Sequence, residues 1–382
     1  MERKALEQKL TGFFEELHMH PELSYEEYET TERIKRELAA AGIEILQIPL
    51  KTGVTAIVRG AKPGKTYGLR CDIDALPIAE ETDLTYKSKT PGKMHACGHD
   101  NHMTGLLGAA MLLCERREEI AGTVKLIFQP AEEMSPVGGS RGMLHSGYMD
   151  DVEAVFGLHV WPDLPHGKIG VKAGPLMAAT DHFTINIHGK TAHGAKPNQG
   201  IDAVVLGSQF VMAAQTIVSR KVDPLDNAVV TFGIFNAGTR YNIIAGDCTL
   251  DGTVRTLNED TRAMIEDSMR KTLDGLCLQS GATADINYGH GYPALVNHEE
   301  DAELIRNTAI KLFGKDDVVD MPAEDFSFYL KEKKGAFVWL GTAKQDQDPV
   351  WPLHNSRFDV DEDILWRGSS LLAQTAIDYL NK

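Results

Sequence analysis

Cysteine is scarce and follows no pattern: Cys71, Cys97, Cys114, Cys248 and Cys277 are the five in the sequence. An odd number without framework spacing excludes a disulfide scaffold and fits the reduced thiols of a cytoplasmic protein. Long apolar runs are missing too, since no window approaches the roughly 18 apolar residues of a membrane-spanning helix. Met1-Glu2-Arg3-Lys4 leads into a charged amphipathic segment with no apolar stretch behind it. No secretory signal peptide is therefore expected, and the expected location is cytoplasmic. Positive charge is in deficit: 39 Lys and Arg face 55 Asp and Glu, a formal net charge of −16. That balance argues against nucleic acid and anionic membrane as partners, because both are polyanions. It does not exclude a small substrate, because one cationic pocket can sit on an acidic surface. Low-complexity tracts and internal repeats are also lacking.

What remains is an ordinary globular composition, 42 % apolar and 25 % charged. At 382 residues the chain is longer than one hydrophobic core usually serves, so two domains are expected. Leu6, Leu10, Phe13, Phe14 and Leu17 recur at helical spacing. Ser24-Tyr25-Glu26-Glu27 reads as a capping box that opens a second helix, which Gly42 closes. Strands are then expected at 54–59, 66–72, 123–128 and 153–160, with a helix at 102–116. Strands alternating with helices predict a largely parallel sheet.

The pattern changes near residues 174–179. A half-exposed strand at 181–188, a helix at 201–220, strands at 228–235 and 248–256, a helix at 259–279 and a strand at 282–288 give the order βαββαβ. That is the ferredoxin-like arrangement. Afterwards the α/β pattern resumes, with helices at 300–313, 325–331 and 362–380 and strands at 318–320 and 336–340. The expected architecture is an α/β catalytic domain with a mostly parallel sheet, built from residues 1–176 and 289–382. A ferredoxin-like lid domain, 177–288, is inserted between them, with hinges near 174–180 and 288–292.

Four clusters can carry chemistry, and ligands in open α/β sheets gather at the carboxyl ends of strands. His95-Ala96-Cys97-Gly98-His99-Asp100-Asn101-His102 packs three histidines, a cysteine and an aspartate into eight residues. A thiolate and an imidazole two positions apart suit zinc or a similar borderline metal; the plainer alternative is a polar loop with a buried cysteine. Gln129-Pro130-Ala131-Glu132-Glu133 follows an apolar strand, and its adjacent carboxylates point in different directions, so one can bind metal while the other faces a reacting water. His159 ends an expected strand, where a lone histidine is ordinarily a satisfied core residue. His354 lies in the Pro-containing loop Trp351-Pro352-Leu353-His354-Asn355. Asp72 and Asp74, in Arg70-Cys71-Asp72-Ile73-Asp74-Ala75-Leu76-Pro77, are placed to orient metal-bound imidazoles, with surface turn residues as the plainer reading.

These motifs resemble, in order and almost end to end, the amidohydrolase branch of the aminoacylase-type dinuclear metallopeptidases. That branch includes hippurate hydrolases, plant auxin-conjugate hydrolases and bacterial N-acetyldiaminopimelate deacetylases. The resemblance runs from His18-Met19-His20-Pro21-Glu22 to Phe358-Asp359-Val360-Asp361-Glu362. It includes Gly157-Leu158-His159, residues 238–244 and Ala323-Glu324-Asp325-Phe326.

The resemblance implies two divalent metal ions, zinc or manganese, held by a bridging Cys97 with His99, Glu133, His159 and His354. It implies Glu132 as general acid/base and His193, in Gly189-Lys190-Thr191-Ala192-His193, as the group that polarises the scissile carbonyl, sometimes across a dimer. Asn242 and Arg255 match positions that hold a substrate carboxylate. The implied activity is metal-dependent hydrolysis of an N-acyl amino acid by a metal-activated water, and the resemblance implies a homodimer or higher homo-oligomer through the lid's exposed sheet edge or helix.

Two segments depart from the family pattern, Pro197-Asn198 and Met134-Ser135-Pro136-Val137-Gly138-Gly139, both where the pocket mouth is expected. Two other functions are weighed. A dipeptidase or aminopeptidase needs an anion for a free α-amine, with Glu324 or Asp325 as candidates beside a plainer helix-capping role. A non-catalytic binder would have lost Glu132 or a ligand, and neither is lost.

Overall fold

The structure, a computed structural model, describes residues 3–134, 138–319, 327–344 and 350–382. It forms two compact units, Met1–Leu176 with Val296–Lys382, and Met177–Leu295. No helix among the described residues is long and apolar enough to cross a membrane.

The first unit is built on an eight-stranded sheet. Its four central strands, Ala121–Gln129, Lys62–Asp72, Val152–Pro165 and Lys334–Ala343, run parallel in that spatial order. Val54–Arg59 joins antiparallel at one side and Ile169–Gly170 at the other. The central strands are nearly continuous in buried apolar residues (Leu126, Ile127 and Phe128 in one; Val338, Trp339 and Leu340 in another), as a sheet covered on both faces requires. Helix His99–Glu115 packs on helix Leu365–Leu380. Their approach is close: a Cβ on Gly108 would come within 2.2 Å of Ser369 Oγ.

Two local expectations are corrected. Ser24 does not cap the second helix: its hydroxyl donates to Asp74 Oδ2 at 2.6 Å. The helix is Tyr28–Ala40, its N-cap Glu27 makes no side-chain capping bond, and the carboxylate of Glu22 takes the Glu29 and Thr30 amides instead. A buried aspartate competes better for the serine than an exposed helix end does. His159 does not end its strand, because the parallel pairing continues from Trp339↔His159 to Ala343↔Pro165. The helix expected at 325–331 is described as Ser327–Glu332, and residue 320 of the preceding strand lies outside the described residues.

The second unit is a four-stranded antiparallel sheet in the order Ala228–Ala237, Asp247–Thr256, Ala179–His188, Thr283–His290. Two helices, Ala203–Lys221 and Glu259–Ser280, cover one face. Phe183, Ile185 and Ile187 point to those helices and form the core with Leu206, Phe210, Ile265 and Met269, the alternation expected of a half-buried strand. The unit runs to residue 295 rather than 288. Thr180 N–H donates to Tyr292 O at 2.9 Å and its hydroxyl accepts from Tyr292 N–H at 3.1 Å, which fastens residues past the last strand to the first.

One charge pair is fully inside this unit. Arg262, 5 % exposed, forks onto Asp181, 2 % exposed. Asp181 also accepts from Tyr288 Oη–H at 3.1 Å and Gly291 N–H at 3.2 Å. Removing the cation leaves a buried carboxylate unanswered, so Arg262→Ala is expected to destabilise the unit by about 3–5 kcal/mol. Urea unfolding monitored by far-UV circular dichroism checks this, and a loss below about 1 kcal/mol, the worth of a surface pair, would show that the pair carries no such weight.

Candidate metal centre

The carboxyl ends of two central strands meet in register, Asp72 opposite Gln129. Beyond them the chain turns into Asp74 on one side and Glu132–Glu133 on the other. His159 comes from the third parallel strand, and helix His99–Glu115 starts beside them. The turn before that helix depends on Gly98, which has φ +79°. A Cβ there would lie 2.3 Å from Val160 Cγ2, so only glycine lets Cys97 and His99 flank the turn. His354 is also left-handed, φ +62°, and its amide is tied to Ala96 O at 2.8 Å.

The five expected ligands come together. Cys97 Sγ is 3.4 Å from His159 Nε2 and 3.3 Å from His354 Nε2. His354 Nε2 is 3.4 Å from Glu133 Oε1, and His99 Nε2 is 3.9 Å from both Glu132 Oε2 and Glu133 Oε1. The donor atoms form two overlapping groups, Cys97–His99–His159 and Cys97–Glu133–His354, with the cysteine common to both. This set fits two cations sharing a thiolate. His99 Nε2 and Glu133 Oε1 are buried without a hydrogen-bond partner, and a mixed S, N and O set suits a borderline divalent metal.

The imidazoles are prepared for that role. His99 Nδ1 is 2.8 Å from the backbone O of Asp74, to which its N–H donates, leaving Nε2 bare. His159 Nδ1 is 2.6 Å from Val160 O, and burial, with His102 nearby, holds its pKa well below the usual value, so it is neutral. Burial works to lower the pKa of His99, but the carboxylates of Asp72, Asp74 and Glu133 override it and raise it to about 10. The pocket therefore carries an excess of negative charge that a dication would answer.

Asp72 and Asp74 serve differently from the simple expectation. Burial opposes ionisation of Asp72, but His99, Arg70 and His102 hold its pKa well below the carboxylate range. It accepts from Arg70 Nη1 at 2.7 Å and pairs with His102 Nδ1 at 2.6 Å. His102 is no free ligand, since its Nε2 accepts from Val160 N–H at 2.9 Å. Asp74 orients His99 mainly through its carbonyl, while its carboxylate accepts the amides of Glu132 and Glu133, each at 3.0 Å. Sequence reasoning assigned no role to Arg70 or His102, and read Glu27 only as the glutamate of a capping box. Burial and the Asp74 carboxylate push the carboxyl of Glu27 up to about 7, and it accepts the Ala131 amide at 2.8 Å.

The remaining site residues lie in the second unit. His193 is exposed on the short strand Ala192–His193, which pairs with Ile243–Ile244, and Gly194 N–H donates to Asn242 O at 2.9 Å. His193 and Asn242 are thus neighbours. Arg255 is not beside them. It pairs with Thr180, eight residues along the strand from the Asp247↔His188 pair that leads to His193, roughly 26 Å by strand rise. Glu324 and Asp325 lie outside the described residues.

Comparison with known proteins places the chain in a family. The model of peptidase family M20/M25/M40 matches residues 68–378. An N-acetylcysteine deacetylase of Bacillus subtilis (strain 168) is 41 % identical, over 100 % of this chain and 99 % of its own. Thermostable carboxypeptidase 1 of Saccharolobus solfataricus is 39 % identical, over 96 % and 94 %. The crystal structure of the YXEP protein of Bacillus subtilis, a dinuclear metal-binding peptidase of the M20 family, superposes with a TM-score of 0.87 at 38 % identity, covering 99 % of each chain.

One titration follows from the packing behind the cluster. His18, 4 % exposed, has Nδ1 2.6 Å from Asp100 Oδ2 and Nε2 3.3 Å from Glu80 Oε1. Burial lowers its pKa, but the two carboxylates outweigh burial and raise it to about 10. A raised folded-state value stabilises fully below the unfolded value near 6.5, and that contribution is lost as pH rises through about 10. His18→Phe keeps a ring and strands both carboxylates. Its stability deficit in urea is expected to be about 3 kcal/mol at pH 7.5 and to shrink markedly by pH 10.5. A deficit that stays constant over that range would exclude an imidazolium at this position.

Proposed function

The chain belongs to peptidase family M20/M25/M40, and from that premise we propose that it hydrolyses the amide bond of an N-acyl amino acid to a carboxylic acid and a free amino acid. One observation carries the reading. A buried Cys97-centred cluster of metal-ligating groups has Glu132 beside it, in a chain similar over its whole length to a deacetylase of an N-acylated amino acid. The similarity to a carboxypeptidase is consistent with the same chemistry. An N-acyl amino acid and the C-terminal end of a peptide both present an amide whose leaving amine carries a free α-carboxylate.

In this reading Cys97, His99, His159, Glu133 and His354 would hold two divalent cations, zinc or manganese. Such ions supply Lewis-acid activation of a water and of the scissile carbonyl. Glu132 takes the proton of the attacking water and returns it to the leaving amine. Its amide is held by Asp74, so the carboxylate works from a fixed backbone. His193 stabilises the developing oxyanion. Arg255 can meet the α-carboxylate bidentately, and Asn242 adds a neutral donor. Asp74 holds the His99 imidazole through its carbonyl and the Glu132–Glu133 turn through its carboxylate, while Asp72 fixes His102 beside them.

Arg255 pairs with Thr180 at one end of its strand, while His193 follows His188 beyond the other end, which favours a second copy contributing one of the two to a substrate. A homodimer through the edge strand Ala228–Ala237 and helix Ala203–Lys221 fits. Val229, Ile234 and Phe235 on the strand and Val205 and Met212 on the helix are exposed apolar residues, Met212 to 70 %. A cytoplasmic location is part of the same reading, consistent with five free cysteines.

The test is amine release from N-acyl amino acids and free dipeptides by chelator-treated protein, with Zn²⁺ or Mn²⁺ added back. Cleavage of N-acyl substrates, restored by metal, is expected. Glu132→Gln should keep two metals per chain and lower kcat by about 10²–10⁴-fold, and near-normal turnover in that variant would remove Glu132 from the chemistry. Cleavage of free dipeptides alone would favour the dipeptidase reading, and metal binding without any turnover the binder. Light scattering on the eluting protein is expected to give twice the chain mass. Met212→Asp with Phe235→Asp should return it to one, and an unchanged dimer would move the interface elsewhere.

A further inference from the structure

Two buried carboxylates hold three consecutive backbone amides at the turn that carries Glu132 and Glu133. Glu27 Oε1 accepts Ala131 N–H at 2.8 Å, and Asp74 accepts Glu132 N–H and Glu133 N–H, each at 3.0 Å. The first of these residues is strained: Ala131 has φ +52°, a left-handed conformation that costs a residue with a Cβ roughly 1–2 kcal/mol. The turn has no slack around it. A Cβ on Gly53 would meet Pro130 Cδ at 2.7 Å, and one on Gly139 would meet Pro130 O at 1.8 Å. Gly139 N–H donates to Ala131 O at 3.1 Å.

Glu27 itself is 0 % exposed. It stands at the N-cap of helix Tyr28–Ala40, yet its side chain makes no capping bond. Its carboxyl is directed instead at a loop 104 residues away. Burying a carboxyl is costly, and the helix end does not account for it.

We propose that Glu27 is a positioning residue for the hydrolysis: by holding the Ala131 amide, it keeps the strained turn in the one conformation that sends the Glu132 carboxylate to the reacting water and the Glu133 carboxylate to metal. Successive side chains diverge by an angle that the local backbone sets, so the aim of both depends on this turn. The inference rests on the roles given above to Glu132 and Glu133.

An isosteric pair of variants separates the acceptor from the packing. Glu27→Gln keeps an oxygen for the Ala131 amide, whereas Glu27→Met fills the space without one. With Co²⁺-loaded protein and N-acetyl-L-methionine as probe, Glu27→Met is expected to lose about 100-fold in kcat with KM unchanged, and Glu27→Gln to stay within about threefold of the parent. The visible Co²⁺ absorption should shift in the methionine variant and keep its shape in the glutamine one. Adding Ala131→Gly, which adopts positive φ without a clamp, should restore about tenfold of the lost rate to Glu27→Met.

A glutamine variant as impaired as the methionine one would overturn the proposal. So would a methionine variant with parental kcat and spectrum, or a rate loss matched entirely by lost metal and restored by no glycine. If the parent protein binds cobalt but cleaves no N-acyl amino acid, the assigned reaction fails, while the two spectra still decide whether Glu27 sets the ligand geometry.

Discussion

Four carboxylates, Asp72, Asp74, Glu132 and Glu133, converge with the Cys97 thiol in one largely buried pocket, and the surrounding fold is organised to answer that concentration of negative charge. Charges taken out of water must be paired or hydrogen-bonded. The protein answers two of the four with its own groups. Arg70 and His102 satisfy Asp72, and Ser24 with two backbone amides satisfies Asp74. Around Glu133 and Cys97 the imidazoles of His99, His159 and His354 gather within about 4 Å, so thiol, carboxylate and imidazole donors share one space, as a metal site requires.

The backbone serves the same end. Three described residues without the freedom of glycine are left-handed, Tyr25, Ala131 and His354, the second beside the paired glutamates and the third at a proposed ligand. Such conformations persist only where the surroundings over-determine them. Here the surroundings are specific: Glu27 on the Ala131 amide and Ala96 O on the His354 amide. The parallel sheet contributes rigidity, because Asp72 and Gln129 leave adjacent strands in register. The segments that follow therefore start from fixed points.

Much of this was legible in the sequence, and what was not has physical reasons. The strand at 54–59 was readable because its apolar run, Val54 to Val58, is buried throughout. The βαββαβ order of the second unit followed from clear alternation. The Cys/His cluster and the paired glutamates announced themselves by composition. Within the cluster, however, spacing alone cannot separate His99 from His102. The difference lies in which ring nitrogen finds a backbone partner, Asp74 O for one and Val160 N–H for the other. Ser24 fitted a capping box perfectly well as a string, and lost that role to Asp74, 50 residues away. Glu27 was read as the glutamate of the same box, whereas it accepts the Ala131 amide. Its partner is distant in sequence, and local pattern rules see only neighbours.

The placement of Arg255 bears on specificity. Nothing in the metal cluster distinguishes an acetylated amino acid from the end of a peptide, because both offer the same carbonyl and the same carboxylate-bearing amine. If, as proposed, a centre built from Cys97, Glu132 and their partners sets the reaction, discrimination must come from groups that meet the acyl side or the carboxylate. Arg255 and the His193–Asn242 pair are separated along the second unit's sheet. Under the dimeric reading, then, a substrate is embraced by residues from two copies. The distance between those copies, rather than any single pocket, would then govern how long an acyl amino acid the enzyme accepts.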